Sequence, residues 1–106
     1  HTLDAARLYR LALEAAPPGF RAHAAADEGV AFRAIAEAMA KGLGLPAKSV
    51  AAAEAATALP GFVGMIAQLD NPTSSAKTRE ILGWKPVHAD LLTDIAAGHY
   101  FATPAE

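Results

Sequence analysis

The residue types that most often do chemistry in proteins are sparse in this chain and widely spaced. Cysteine is absent, which excludes both a disulfide framework and a thiolate metal site. The four histidines, His1, His23, His88 and His99, lie far apart, and no two stand four residues apart on a predicted helix. Because a metal site needs clustered ligands, we interpret each histidine as a solvent-facing side chain.

Motifs for nucleophilic catalysis and for phosphate binding are also missing from the sequence. No serine lies in a Gly-x-Ser-x-Gly turn, and Ser74-Ser75 fits the capping of a predicted helix. The glycines of residues 42–44 end a helical pattern, and those of residues 61–64 are too closely spaced, whereas a dinucleotide loop joins a strand to a following helix. We therefore predict no catalytic, cofactor-binding or metal-binding residue in this chain.

Two pairs of carboxylates are close enough in sequence to act together. Asp27-Glu28 precedes Gly29, which is typical of a turn. Asp90 and Asp94 are spaced to share one face of a helix. In both cases we interpret the carboxylates as solvated structural residues and not as an acid–base pair.

Hydrophobic periodicity predicts mainly helices as the elements that position these residues. The clearest pattern places Phe32, Ile35, Ala36, Met39 and Leu43 on one face of a helix. Gly83 is placed to end another helix in the left-handed conformation. The remaining predicted helices are Leu3 to Ala16, Ala51 to Ala58 (ended by Pro60-Gly61), a short one from Phe62 to Leu69, one from Thr73 or Ser74 to Leu82, and one from Asp90 to the residue before Gly98.

Two short segments alternate in a way that indicates strands. These are Phe20 to Ala26 and Lys48 to Ala51, and the second helix lies between them. A strand, a helix and a second strand in that order predict a parallel pair with a right-handed crossover. The expected fold class is therefore α/β and helix-dominated, with five to six helices and a short two-stranded parallel sheet.

Composition restricts the possible partners. Apolar residues make up 53% of the 106 residues, and the net charge is −2 without a basic stripe, so we expect no nucleic-acid partner. No apolar run is long enough to span a membrane. The abundant alanine suggests a GC-rich, bacterial genome, and the absence of cysteine fits a reducing, cytoplasmic compartment. We expect one domain, residues 1–106, that forms a homo-oligomer through exposed apolar helix faces.

The most distinctive parts of the sequence are residues 1–8 and residues 74–86, the second of which ends in Leu82-Gly83-Trp84-Lys85-Pro86. Together they resemble the extended short-chain dehydrogenase/reductase family of NAD(P)-dependent epimerases and dehydratases. Residues 1–8 (His-Thr-Leu-Asp-Ala-Ala-Arg-Leu) resemble its His-x-x-Asp-x-Ala segment. Residues 74–86 (Ser-Ser-Ala-Lys-Thr-Arg-Glu-Ile-Leu-Gly-Trp-Lys-Pro) resemble its Asp-x-Ser-Lys…Leu-Gly-Trp-x-Pro signature, with Ser74 in place of the usual Asp and Ala76 in place of the usual Ser. The segment from Phe20 to the second helix is similar to the one that introduces the family's substrate lobe.

The resemblance implies that the chain is the C-terminal, substrate-binding lobe of a Rossmann-type oxidoreductase whose N-terminal cofactor domain lies outside it. NAD or NADP would then be bound by the full-length parent and not by this chain, and the substrate would be a small molecule such as a nucleotide-linked sugar. Within this lobe we expect the irregular segment before the signature helix to line the substrate cleft: Phe62, Met65, Gln68 and Asn71. The alternative is a free-standing helical module that binds a protein partner.

Overall fold

The computed structural model describes residues 1–59 and 61–102. Six α-helices form in that part of the chain, with bounds close to those that the periodicity predicts, together with two single 3₁₀ turns, Ala52–Glu54 and His99–Phe101. The α-helices are α1 (Thr2–Ala15), α2 (Phe32–Leu43), α3 (Ala55–Ala58), α4 (Phe62–Ile66), α5 (Ala76–Leu82) and α6 (Leu91–Ala96). Pro60, which we expected to help end the alanine-rich helix, lies outside the described residues.

The prediction of a parallel sheet is wrong, because residues 1–59 and 61–102 contain no strand. The chain is helical, so the expected α/β class and the Rossmann-type lobe with its two-stranded sheet are not formed. In the first predicted strand, α5 side chains take the hydrogen bonds that a neighbouring strand would supply: the His23 N–H donates to the Thr78 hydroxyl, and the Ala25 carbonyl accepts from the Ser75 hydroxyl. Alanine, which makes up four of the seven residues of the first segment, also has a low strand propensity.

Helix α1 begins at a cap supplied by His1, whose Nδ1 accepts a hydrogen bond from the Leu3 N–H at 3.2 Å. Its inner face packs against α5 and the turn that follows α5. Leu8, Leu82 and Trp84 are the buried centre of this contact. Gly83 ends α5 with φ of 61°, as predicted, and this left-handed turn allows Trp84 to fold back onto α1.

The other helices pack in two further pairs. Helix α2 lies against α6, and α3 lies against α4. The first of these pairs is completed by the end of the described chain, because the Phe101 ring occupies the space beside Gly42 where any larger residue would place its Cβ. The second pair is close because Gly64 rests on the backbone of Ala55 and Ala56.

The hydrophobic core is small for a chain of this length. The fully buried apolar residues of the described part are Leu8, Ala55, Leu82, Trp84 and Ile95. The radius of gyration is 17.1 Å, whereas a compact chain of this length has about 13 Å. The accessible surface is 8259 Å², whereas a compact monomer of 10.9 kDa exposes about 5,600 Å². The three helix pairs therefore leave a large part of their surface without an intramolecular partner.

None of the helices in residues 1–59 and 61–102 has both the length and the apolar character needed to cross a membrane.

Candidate functional site

Among residues 1–59 and 61–102, Asp4 is the polar residue with the most hydrogen bonds and ion pairs. Its side chain is 2% exposed and accepts hydrogen bonds from the backbone N–H groups of Val87, at 3.1 Å, and His88, at 3.0 Å. The indole N–H of Trp84 donates to the Asp4 carbonyl oxygen at 2.9 Å. Asp4 thus holds the segment after α5 through both its side chain and its backbone, although the two segments are eighty or more residues apart in the sequence.

A histidine and an arginine lie beside the Asp4 carboxylate, and a second histidine stacks on the first. His88 Nδ1 lies 3.1 Å from Asp4 Oδ1, and Arg7 Nη2 lies 3.6 Å from the same oxygen. The His1 ring stacks on the His88 ring with centroids 4.3 Å apart. Burial by itself would raise the pKa of Asp4, but the hydrogen bonds from His88 and Val87 outweigh it and lower the pKa to about 2. Asp4 is therefore an ionised structural anchor and not a general acid.

A second junction is made by three side chains of α5 and its N-cap. Besides the bonds from Ser75 and Thr78 to residues 23–25, Arg79 Nη2 donates to the Ala26 carbonyl oxygen at 3.0 Å, and Arg79 Nε donates to the Ser75 hydroxyl at 2.9 Å. The Arg79 guanidinium also lies 5.8 Å from the centre of the Trp84 ring. We call Ser75, Thr78 and Arg79 the α5 clamp. It fixes the path of the irregular chain that leads to residues 27–30.

The irregular chain opens into a cleft of about 550 Å³, which we call the polar cleft. Its walls come from the start of α1, residues 26–30, residues 71–73 and residues 89–100. The Asp27 carboxylate accepts the Leu91 N–H at 3.3 Å, and the Glu28 carboxylate accepts the Ser74 hydroxyl at 3.3 Å. The two adjacent acids therefore hold the cleft walls together by hydrogen bonds, in addition to forming the turn that the sequence predicts.

The third carboxylate of the polar cleft, Asp94, is paired with the end of the described chain. The Tyr100 hydroxyl donates to Asp94 Oδ2 at 2.5 Å, and His99 Nε2 lies 3.9 Å from Asp94 Oδ1. Hydrogen bonding to the carboxylate raises the pKa of Tyr100 above its ordinary value of 10.0, so the phenol stays protonated as a donor. Asp90 lies apart from this group, because its carboxylate caps α6 through the Thr93 N–H at 2.9 Å.

The four residues predicted to bind substrate do not meet in one cleft. Asn71 lines the polar cleft. Gln68 borders a more apolar cleft beside α2, and its amide donates to the Gly64 carbonyl oxygen at 2.9 Å. Phe62 and Met65 are exposed on α4 and contribute to neither cleft. Of the four, the structure therefore associates only Asn71 with the polar cleft, and their binding role stays a prediction.

Sequence reasoning did not assign most of the polar cleft. Asp94 and Tyr100 are six residues apart on separate elements, so no helical spacing connects them. The pairing of Asp27 with Leu91 joins parts of the chain that no local pattern connects. The sequence did contain a signal for the contact between Asp4 and Trp84. An acidic residue near a helix start and a Leu-Gly-Trp turn are both parts of the segments on which the resemblance rests.

No group of three or more metal-ligating side chains forms among residues 1–59 and 61–102.

Comparison with known proteins gives two fungal relatives of undescribed role. The chain is 46% identical over 101 residues to an uncharacterized protein of Schizosaccharomyces pombe, a match that covers 95% of this chain and 34% of the relative. It is 36% identical over 99 residues to an uncharacterized protein of Saccharomyces cerevisiae, covering 93% of this chain and 33% of the relative. The chain thus spans about a third of the length of these curated relatives. No protein-family model and no solved structure matches it.

These relatives correct one expectation drawn from composition. Alanine richness suggested a bacterial protein, but both relatives are fungal. Alanine content responds to genome base composition and to helix propensity alike, so it does not separate bacteria from fungi.

Proposed function

We propose that this chain is the substrate-binding portion of a longer NAD(P)-dependent enzyme of the epimerase, dehydratase or reductase type, similar to the extended short-chain dehydrogenases/reductases. Hydride transfer and cofactor binding belong to the rest of the longer polypeptide. This portion contributes a wall of the substrate site and acts in the cytoplasm.

One observation carries the proposal. The two stretches on which the resemblance rests are in direct contact, because the Trp84 indole of the second stretch binds Asp4 of the first. Residues 87–88, which directly follow the second stretch, bind the same aspartate. Motifs that match by chance have no reason to form a joint buried unit. The resemblance therefore concerns one physical structure, and not two unrelated short strings of residues.

The composition of the polar cleft supports a hydroxyl-rich substrate group. Carboxylate, amide and hydroxyl side chains line it, and neither Lys nor Arg occurs among its described lining residues. Such groups hydrogen-bond to sugar hydroxyls. Phosphates are bound by Arg, Lys or clustered N–H groups, so the diphosphate of a nucleotide sugar would be bound by the remainder of the enzyme.

A chimera tests the proposal. The fission yeast relative is made with this chain in place of its own 101 matched residues, and NADH and NADPH are titrated into the chimera, the unmodified relative and this chain alone. We expect the relative and the chimera to bind the same cofactor with similar affinity and the chain alone to bind none. Failure of the unmodified relative to bind either nucleotide, or micromolar binding by the chain alone, would contradict the proposal.

A second candidate function is a free-standing module that binds a protein partner. The observation that favours it is the group of large apolar side chains left exposed on and after α4: Phe62, Val63, Met65, Ile66 and Leu69. The parent reading frame discriminates the two. A Gly-x-x-Gly-x-x-Gly unit and a Tyr-x-x-x-Lys pair upstream of His1 favour the enzyme, and a natural start close to His1 favours the module.

A further inference from the structure

Helix α1 carries a second apolar stripe on the side opposite its packed face. Thr2, Ala6, Tyr9 and Leu13 follow one another at spacings of four, three and four residues, which places them along one side of a helix. All four are exposed, and the two large ones are 75% (Tyr9) and 88% (Leu13) accessible. We call this stripe the outer face of α1.

The opposite side of the same helix is packed against the rest of the chain. Asp4 and Leu8 are buried there, and Leu11 and Ala12 pack against the centre formed by Leu8, Leu82 and Trp84. A surface helix normally has one apolar stripe and one polar face. A helix that is apolar on two opposite sides is typical of an element packed between two layers, of which this chain supplies one.

A second copy of this chain that docked through this stripe alone would not form a stable dimer. The 14 residues of α1 span about 21 Å at 1.5 Å per residue. A strip of that length and about 10 Å wide covers roughly 200 Å² per partner, whereas stable interfaces bury about 800 Å² per partner. The surface that the chain exposes beyond that of a compact monomer is much larger than one such strip.

We propose that the outer face of α1 docks on the additional polypeptide that the longer relatives possess, through an apolar surface of that polypeptide. Both relatives match this chain over nearly its whole length and are about three times as long, so a large body of chain is available to cover the stripe. The proposal rests on the proposed function only in placing this chain within a longer polypeptide, and it does not depend on the cofactor.

Cysteine labelling measures whether the outer face is covered. The chain contains no cysteine, so Leu13→Cys introduces a single thiol on the outer face. Glu14→Cys on the same helix, one residue further and about 100° around the axis, is the matched control. Each substitution is made in this chain and in the chimera with the fission yeast relative, and the maleimide reaction rate at that cysteine is followed by peptide mass spectrometry at dilutions where the proteins are monomeric.

We expect the Leu13→Cys thiol to react at least tenfold more slowly in the chimera than in this chain, and the Glu14→Cys thiol to differ less than threefold. If the chimera does not fold, the aligned position of the unmodified relative is replaced by cysteine and gives the same readout against denatured protein. Equal reaction rates in the long and short proteins overturn the docking. Protection that is lost when the long protein is diluted to monomers also overturns it, because a second copy is then the occupant. Cofactor titration of the same samples shows independently whether the proposed function holds.

Discussion

At the scale of single residues, Asp4 and Trp84 fix how α1 packs against the segment that follows α5. The sequence indicates a reason for each of them separately, an acid near a helix start and a large side chain after a helix-ending glycine. It does not predict that the Asp4 carboxylate would bind the N–H groups of Val87 and His88, because that depends on where the segment after Trp84 runs. Partners distant in sequence carry no local pattern, which is why this part of the site was missed.

The Asp4 carboxylate makes stability depend on pH in the acid range. Its pKa in the folded chain is about 2, below the ordinary value of 3.8. The unfolded state therefore binds the proton more readily, and the stabilisation by Asp4 is complete well above pH 3.8 and is lost as the pH falls towards 2. We expect Asp4→Asn to be less stable than the native chain at neutral pH, with a difference that shrinks on acidification. Urea midpoints measured across this pH range check it.

Glu14→Gln is the control for that series, because Glu14 is an exposed carboxylate of the same helix, paired only with Arg10. Its stability profile should run parallel to that of the native chain. Parallel profiles for Asp4→Asn and the native chain would show that the Asp4 carboxylate is not the titrating anchor.

Thr78 gives a second prediction at this scale. It is 1% exposed, and its hydroxyl accepts the His23 N–H at 2.8 Å. Thr78→Val keeps the shape of the side chain but leaves that N–H without its acceptor, which costs about 1–3 kcal/mol. We expect lower stability and faster hydrogen exchange at the His23 amide, measured by NMR. Thr93→Val, an exposed site on α6, should leave exchange at the His23 amide unchanged, and unchanged exchange at His23 in Thr78→Val would contradict the clamp.

At the scale of elements, periodicity located the helices, but the sheet that the alternating segments predict does not form in the described part of the chain. The pattern of α2 agrees with its observed bounds, Phe32–Leu43, because one apolar stripe at helical spacing needs only local information. The alternation in residues 20–26 was misleading, since a strand also requires a neighbouring strand to accept its hydrogen bonds. Here the α5 clamp supplies those bonds from side chains, and no property of the segment itself reveals this.

The pairing of α3 with α4 depends on one glycine. A Cβ at position 64 would lie 2.6 Å from the Ala55 carbonyl oxygen and 2.8 Å from the Ala56 Cα. Alanine in place of a helical glycine normally stabilises by about 0.5–1 kcal/mol, but this overlap with backbone reverses the sign and costs about 1–3 kcal/mol. Hydrogen exchange in residues 55–69 should therefore be faster in Gly64→Ala. Gly29→Ala, whose Cβ would meet no atom closer than 4.0 Å, should leave it unchanged.

At the scale of the whole molecule, the alanine-rich composition accounts for the small core. Alanine buries little area per residue, and five apolar residues are fully buried in the described part. The sequence also shows which residues are apolar, but not that Tyr9 and Leu13 would point away from the packed side of α1 instead of widening it. That distinction requires the position of α5.

A prediction at this scale concerns the isolated chain. Its exposed apolar side chains favour association, but the outer face of α1 is too small for a stable dimer, so we expect weak self-association without a fixed stoichiometry. Sedimentation velocity over a range of concentrations should show a continuous rise in average mass, and Leu13→Glu should reduce it in part. A sharp monomer at the highest concentrations, or a single dimer species, would contradict this expectation.

The contact between Asp4 and Trp84 has a consequence for the order of events during synthesis. Helix α1 leaves the ribosome before α5, and the groups that cover its inner face follow about eighty residues later, which takes roughly 4–16 s at 5–20 residues per second. Throughout that interval α1 can be only marginally helical, as an isolated helix of this length is in water. We expect a chaperone that binds exposed apolar segments to bind the nascent chain during this interval and to dissociate when the Leu-Gly-Trp turn emerges.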